Sequence, residues 1–190
     1  AGQNCVHPAE SSLMRQLLLC LLFIPLLSHA QMAETDWLEL LPLEDQQALA
    51  AMPEISHEGG EAAGNFSAKG GLKQQDKDLP AVMYSSHSVA SMDGKRIRIG
   101  GYPVPLESDA RGRSTLFFLT PYPGACIHVP PPPPNQILLV RYPEGIALDD
   151  IYAPLWVEGP LQIEQISNEL ADAAYTMDAS SVRLVQEEDL

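Results

Sequence analysis

The sequence predicts a mainly β protein, a small OB-like five-stranded barrel with a short N-terminal helical appendage; a β-sandwich is the alternative. Three observations lead there. Between Ala81 and Val185 the apolar residues come in short runs divided by clusters of Gly, Pro, Asp and Ser, as strands divided by turns do. Two of those runs contain glycine, Gly100-Gly101 in the first and Gly159 before Pro160 in the fourth, where a strand can bulge or bend sharply. Five bent strands close into a barrel, whereas a flat sheet would leave its edges open to other chains.

The strands follow in order. After a turn at Met92–Lys95, Arg96-Ile-Arg-Ile99 alternates charge with isoleucine, the period-2 mark of a half-buried strand, and Tyr102–Leu106 continues it beyond the glycine pair. Ser108–Arg113 is a turn. Ser114–Thr120 (STLFFLT) is the second strand, apolar enough to be central. Gln136–Tyr142 is the third, ended by a turn at Pro143-Glu-Gly145, and Leu148–Tyr152 reads as one helical turn. Pro154–Ile166 is a long fourth strand bent at Gly159-Pro160. Ser167–Ala173 reads as a short helix or crossing loop, and Tyr175–Val185 is the fifth strand. The acidic tail, Gln186–Leu190, is expected to fray.

Upstream of the barrel the chain changes character three times. Residues 1–13 precede Met14 and are read as an upstream mis-start. Met14-Arg15, the apolar run Leu17–Leu27 and the small residues of Ser28-His29-Ala30 together read as a secretory signal peptide spanning residues 14–30, hence a periplasmic protein. The apolar run is shorter than the roughly twenty residues that span a bilayer, so no stable membrane insertion is expected after cleavage. Residues 31–56 form the helical appendage: Leu43, Ala48, Leu49 and Met52 fall at mixed helical spacing, Pro42 and Glu44 suit a first turn, and Trp37 with Leu40 and Leu41 is expected to dock on the barrel. Residues 57–80 are rich in Gly, Ala and charge and read as a flexible linker.

Charge excludes one class of partner. The chain has 11 basic and 25 acidic residues, a net charge of −14, and residues 1–30 contain one of each sign, so the value survives cleavage. Such a surface repels phosphate backbones, and no nucleic acid is expected to bind. Phosphate-binding loops, nucleophile elbows and paired-histidine zinc helices are absent from the sequence.

The chemistry-bearing stretch is Thr120–Asn135, TPYPGACIHVPPPPPN, which holds Cys126 and, two residues on, His128. In an extended chain these two side chains point to the same side, between proline-stiffened flanks. A thiolate and an imidazole together suit zinc or another transition metal, but two ligands do not make a stable site. His87 is the first candidate for a third ligand, with His57, Glu107, Asp149 and Asp150 behind it. Two other readings stay open: a thiol-dependent enzyme in which His128 activates Cys126, and a structural or interaction subunit in which the cysteine merely packs. Pro130–Pro134 is read as a stiff loop covering a barrel end.

The string PYPGACIHVPPPPPNQ, with DGKRIRIGGYPVPLE before it and WVEGPLQIEQISNELADAAYTMDASSV after it, resembles a family of secreted bacterial proteins of unassigned function, over Met92–Val185. The resemblance implies a periplasmic, mostly β protein. It also implies a likeness to accessory proteins that accompany ABC-type transport systems responsive to zinc or other metals. Together with the Cys126, His128 and His87 candidates, it gives the expectation of a non-enzymatic periplasmic binding or accessory protein. Single-stranded DNA mixed with micromolar protein is expected to stay unbound at every ionic strength; salt-sensitive retention on a filter would overturn this charge argument.

Overall fold

The computed structural model describes Gly2 and residues 32–52, 72, 79–124 and 131–189. The expected mis-start and signal peptide, His57 and most of the linker, and Cys126 with His128 lie outside the described residues. Among the described residues, every strand and helix belongs to the compact unit running from Met32 to Leu190. Among the described residues, no helix is long and apolar enough to cross a membrane.

Six strands carry the fold: β1 (Arg96–Ser108), β2 (Ser114–Thr120), β3 (Leu138–Ile146), β4 (Leu155–Ser167), β5 (Asp172–Asp178) and β6 (Ser181–Leu184). Pairing runs β1-β2-β3-β5-β4 and returns to β1, which closes a five-stranded barrel; β6 adds to the outside edge of β4. All pairs are antiparallel except β3 with β5. This is the OB-like barrel that the bent strands imply, and not a sandwich.

Closure depends on β1 and β4 each serving two partners within the barrel. Arg96–Gly101 pairs with β4 and Tyr102–Ser108 with β2. The first part of β4 pairs with β1 and β6, and from Leu161 onward it pairs with β5. The switches fall at the glycines. A Cβ at Gly101 would stand 2.7 Å from the Thr120 carbonyl oxygen and 2.8 Å from Leu119 Cγ, and one at Gly159 would stand 2.8 Å from the Asp178 carbonyl oxygen. Any side chain there would force the strands apart.

The alternation read in the strands sorts residues between two cores. Ile97, Ile99, Phe117, Leu119, Leu138, Val140, Leu155, Val157, Tyr175 and Met177 fill the barrel, while Phe118, Leu139 and Ala173 face a second cluster with Ile137, Ala171 and Leu72. Burial on both faces is why β2 and β3 read as continuous apolar runs. Within the stretch expected to be a linker, Leu72 is buried, and its N–H donates to the Leu170 carbonyl at 2.6 Å.

Five local expectations are corrected. Ser167–Ala173 is no helix: β4 and β5 form a hairpin in which the Asn168 side-chain oxygen accepts from the N–H groups of Leu170 (2.8 Å) and Ala171 (2.9 Å). Leu148–Tyr152 is a turn held by Asp150, which accepts from the Tyr152 N–H at 2.8 Å, and β3 runs on through Pro143–Gly145 to Ile146. The fifth predicted strand is two strands, broken at Ala179-Ser180. The tail, instead of fraying, makes a 3-10 turn at Glu187–Asp189 whose aspartate is gripped by Arg183.

The appendage docks as Trp37 implied. Asp36 caps the 3-10 turn Trp37–Leu40 in a capping box with Glu39. Trp37 Nε1 donates to the Gly100 carbonyl at 2.7 Å, and the Thr35 N–H donates to the Arg98 carbonyl at 2.7 Å. Tyr175 ties the same segment from inside the barrel: its hydroxyl donates to the Leu40 carbonyl (2.8 Å) and accepts from the Val89 N–H (2.7 Å). Tyr175→Phe removes both bonds and leaves a buried carbonyl and N–H unpaired, so a loss of about 2–4 kcal/mol is expected in urea unfolding; an unchanged midpoint would show that the appendage is not anchored there.

Candidate functional site

After the Trp37–Leu40 turn, Pro42 starts helix α1 (Leu43–Ala50), a helix too short to rely on propensity and held by its packing. The apolar stripe predicted for it does not face the barrel. Leu43 is 67% exposed, whereas the buried side chain of α1 is Asp45. A carboxylate enters a protein interior only when partners replace its water. Asp45 has them: its Oδ2 accepts from Ser85 Oγ at 2.5 Å and from Asn135 Nδ2 at 2.8 Å.

Those partners come from two further segments. The 3-10 turn Ala81–Tyr84 delivers Ser85, whose hydroxyl also accepts from the His87 N–H at 3.3 Å. Asn135 lies at the end of the proline run, inside the 3-10 turn Pro134–Gln136, and is fully buried. Its N–H donates to the Ser85 carbonyl at 3.2 Å, its Nδ2 reaches the His87 carbonyl at 3.0 Å, and Gln136 Nε2 donates to the Trp37 carbonyl at 2.7 Å. Three acceptors around Nδ2 fix the orientation of the Asn135 amide. Its Oδ1, on the other side, is buried and makes no hydrogen bond.

Asp45 Oδ1 is turned the other way. It stands 3.8 Å from His87 Nδ1, and Glu44 Oε1 stands at the same distance from that nitrogen. The three ligand atoms lie within 4.8 Å of one another. At 3.8 Å none of these contacts is a hydrogen bond. Donors around a tetrahedral zinc sit about 3.3 Å apart, given metal–ligand bonds of roughly 2.0–2.1 Å, so small side-chain movements suffice to converge them on one ion. His87 and Glu44 are exposed and can make that movement, while Asp45 is held by its second oxygen. This is the usual division in a metal site, where outer hydrogen bonds orient an inner carboxylate.

Of the residues singled out in the sequence, His87 belongs to this cluster. Cys126 and His128 lie outside the described residues, in the chain that leads to Asn135. Glu107 is on β1 and Asp150 caps a turn; neither belongs to the cluster around His87. Glu44, Asp45, Ser85 and Asn135 are not recognisable as site residues from the sequence. Their one signal is an acidic pair in the first turn of a helix with a weak apolar stripe, which fits an ordinary helix start equally well.

The model of a family described as "Protein of unknown function (DUF3299)" matches residues 37–184. Among solved structures, the chain is similar to a crystal structure of a protein of that family from Pseudomonas aeruginosa PAO1, at 36% identity and a TM-score of 0.58, over 82% of this chain and 97% of the other. No curated protein matches the chain. The matched segment includes every residue of the cluster, from Glu44 to Asn135.

Asn135→Ala removes the Nδ2 donor and leaves Asp45 with one neutral partner. The expected loss is about 1–3 kcal/mol in urea unfolding. Asp45→Asn in the same background is expected to recover part of it, because the stranded charge is gone; a further loss of the full size would mean that the two residues act independently.

Proposed function

The chain belongs to the DUF3299 family, and since that membership brings no assigned reaction with it, we propose a function from the site: this is a non-enzymatic binding or accessory protein that holds a divalent transition-metal ion, zinc by preference, between Glu44, Asp45 and His87. One observation carries the reading, the approach of two carboxylate oxygens and an imidazole nitrogen to within 4.8 Å of one another without hydrogen bonds between them. Two carboxylates and a neutral imidazole carry a net charge of −2, which a dication neutralises. Imidazole with carboxylate suits zinc and its neighbours better than magnesium or calcium, which favour oxygen alone. Three protein ligands leave a position open, and Cys126 and His128 are the proposed source of further donors. Within this proposal the protein works in the periplasm, as the segment Met14–Ala30 implies, alongside components of an ABC-type transport system.

Calorimetric titration of the reduced, chelator-treated protein with Zn²⁺ is expected to give one saturable site. His87→Ala and Asp45→Asn should each weaken it by tenfold or more, and Ser85→Ala, which removes a supporting bond, by roughly 10–100-fold. Cys126→Ser and His128→Ala then decide whether the loop supplies ligands: weaker binding brings it into the site, and unchanged binding leaves a three-ligand site. Wild-type protein that takes up no metal, or His87→Ala protein that binds as tightly, would refute the proposal.

A further inference from the structure

A second cluster, sharing no residue with the carboxylate–histidine site, lies on the β1–β4–β6 face, and we propose that it is a docking site for an acidic peptide segment that the chain's own Asp189 fills in cis. Arg98 pairs with Glu158 across β1 and β4, and Trp156 pairs with Arg183 across β4 and β6. Their neighbours Ile97, Ile99, Leu155, Val157 and Val182 fill the barrel core, so Arg98, Trp156 and Arg183 project from the opposite face. Gly100, across from Trp156, leaves room for the indole: a Cβ there would stand 3.0 Å from Trp156 Cζ3. The Arg98 guanidinium stacks on that ring, 4.1 Å from its centroid, and is only 5% exposed.

One carboxylate completes the arrangement. Asp189 Oδ2 accepts from Arg183 Nη1 at 2.6 Å and its Oδ1 from Arg183 Nη2 at 2.7 Å, a bidentate fork, with Arg98 Nη2 at 3.4 Å from Oδ1. The Gln186 N–H adds a bond to Oδ2 at 2.8 Å. The hydrogen bonds to Arg183 come first among the causes that hold the Asp189 carboxyl far below the usual carboxylate range.

Three features make this an exchangeable ligand rather than part of the barrel. Past Val185, which still bonds to Pro154, the described turn meets the strands through the Asp189 carboxylate and one long bond, from Gln186 Nε2 to the Leu184 carbonyl at 3.4 Å; Glu187 and Glu188 are exposed. A turn held by one ionic group opens far more easily than a strand does. Next, Asp189 leaves donors over: Arg98 Nε and Trp156 Nε1 are both buried and make no hydrogen bond, and the Glu158 carboxylate stands 3.8 Å from Arg98 Nε. Lastly, in a chain of net charge −14, Arg96, Arg98 and Arg183 stand together on this one face, with Arg96 bonded to Ser180 beside it. Against the Glu158 carboxylate beside them, these three guanidiniums leave a net positive charge once Asp189 is withdrawn, which is complementary to an acidic segment.

The test uses a fluorescein-labelled peptide, Gln-Glu-Glu-Asp-Leu, copying residues 186–190. In anisotropy titrations it is expected to bind saturably and salt-sensitively to protein shortened after Gln186. Binding to the full chain should be about tenfold or more weaker, because the tethered Asp189 competes at high effective concentration. Arg183→Ala in the shortened chain, or Asp→Asn in the peptide, should cut binding by at least tenfold, as loss of a bidentate pair does. If the shortened chain fails to fold, full-length Asp189→Asn, which keeps the whole chain but removes the tethered carboxylate from the clamp, is expected to bind the peptide more tightly than wild type. Failure of the folded open-clamp protein to bind, or binding that survives Arg183→Ala, would overturn the proposal. Dimerisation of the wild type that Asp189→Asn abolishes would give the site to a second copy of the chain and overturn the peptide assignment too.

Discussion

The barrel closes because two strands cross their neighbours at distances that only glycine permits. At Gly101 the Thr120 carbonyl comes to 2.7 Å of where a Cβ would be, and at Gly159 the Asp178 carbonyl comes to 2.8 Å. The consequences reach beyond the sheet. The first crossing presents the Gly100 carbonyl to Trp37 Nε1, and the Trp37 carbonyl in turn accepts from Gln136. That pair of bonds fixes the appendage on one side and the end of the proline run on the other. Asp45, which follows Trp37 in the chain, and Asn135, which precedes Gln136, are thereby brought to 2.8 Å from each other. The site is therefore a product of barrel closure, assembled from segments that are distant in sequence.

Energetically the site is a compromise between burial and availability. A buried carboxylate with both oxygens fully satisfied would be a structural fixture, and one with neither satisfied would cost several kcal/mol or take up a proton. Asp45 lies between these cases: Oδ2 takes two strong hydrogen bonds, while Oδ1 faces His87 at a distance too long for one. Ser85 and Asn135 stabilise the charge and hold it in place, and Oδ1 is left facing His87. Asn135 makes the same division within one amide, with Nδ2 engaged and Oδ1 buried without a partner.

Much of the fold was legible because its causes are local. STLFFLT does not alternate, which marks a strand buried on both faces, whereas the alternation of Arg96-Ile-Arg-Ile99 promised a half-buried strand and did not show that Arg98 is buried too, against Trp156 and Asp189. The glycines at Gly100-Gly101 and Gly159 marked the crossings because no other residue tolerates that approach. What could not be read depends on contacts between segments remote in sequence. Leu72 is an isolated apolar residue in a stretch whose composition argues for solvent, and only the presence of Leu170 explains its burial. The acidic tail has the composition of a frayed end, and only Arg183 and Arg98 explain its order. In α1 the pattern misled, since a helix of eight residues held by Trp37 and Tyr175 on its N-terminal side need not bury its own leucines. His87 was legible as a candidate because histidine is scarce and chemically marked; Asp45, one of 25 acidic residues, carried no such mark.

Net charge describes the molecule only from a distance. Out to a Debye length of roughly 8–10 Å from the surface the value of −14 governs encounters and disfavours polyanions. At contact, the placement of a few groups decides, and the described residues hold two clusters of opposite sign. Where the appendage meets the segment after Tyr84, two carboxylates and an imidazole, those of Glu44, Asp45 and His87, lie within 4.8 Å of one another. On the β1–β4–β6 face, Arg98 and Arg183 hold a carboxylate. The choice of arginine there follows from geometry. A guanidinium lies flat on an indole while its edge still donates hydrogen bonds, and it stays charged when buried. Lysine, a point charge that needs water or three acceptors around its ammonium group, would lose its stacking on Trp156 and its fork on Asp189 together. The cluster is thus specific for a planar, two-oxygen acceptor, a property that long-range charge cannot provide.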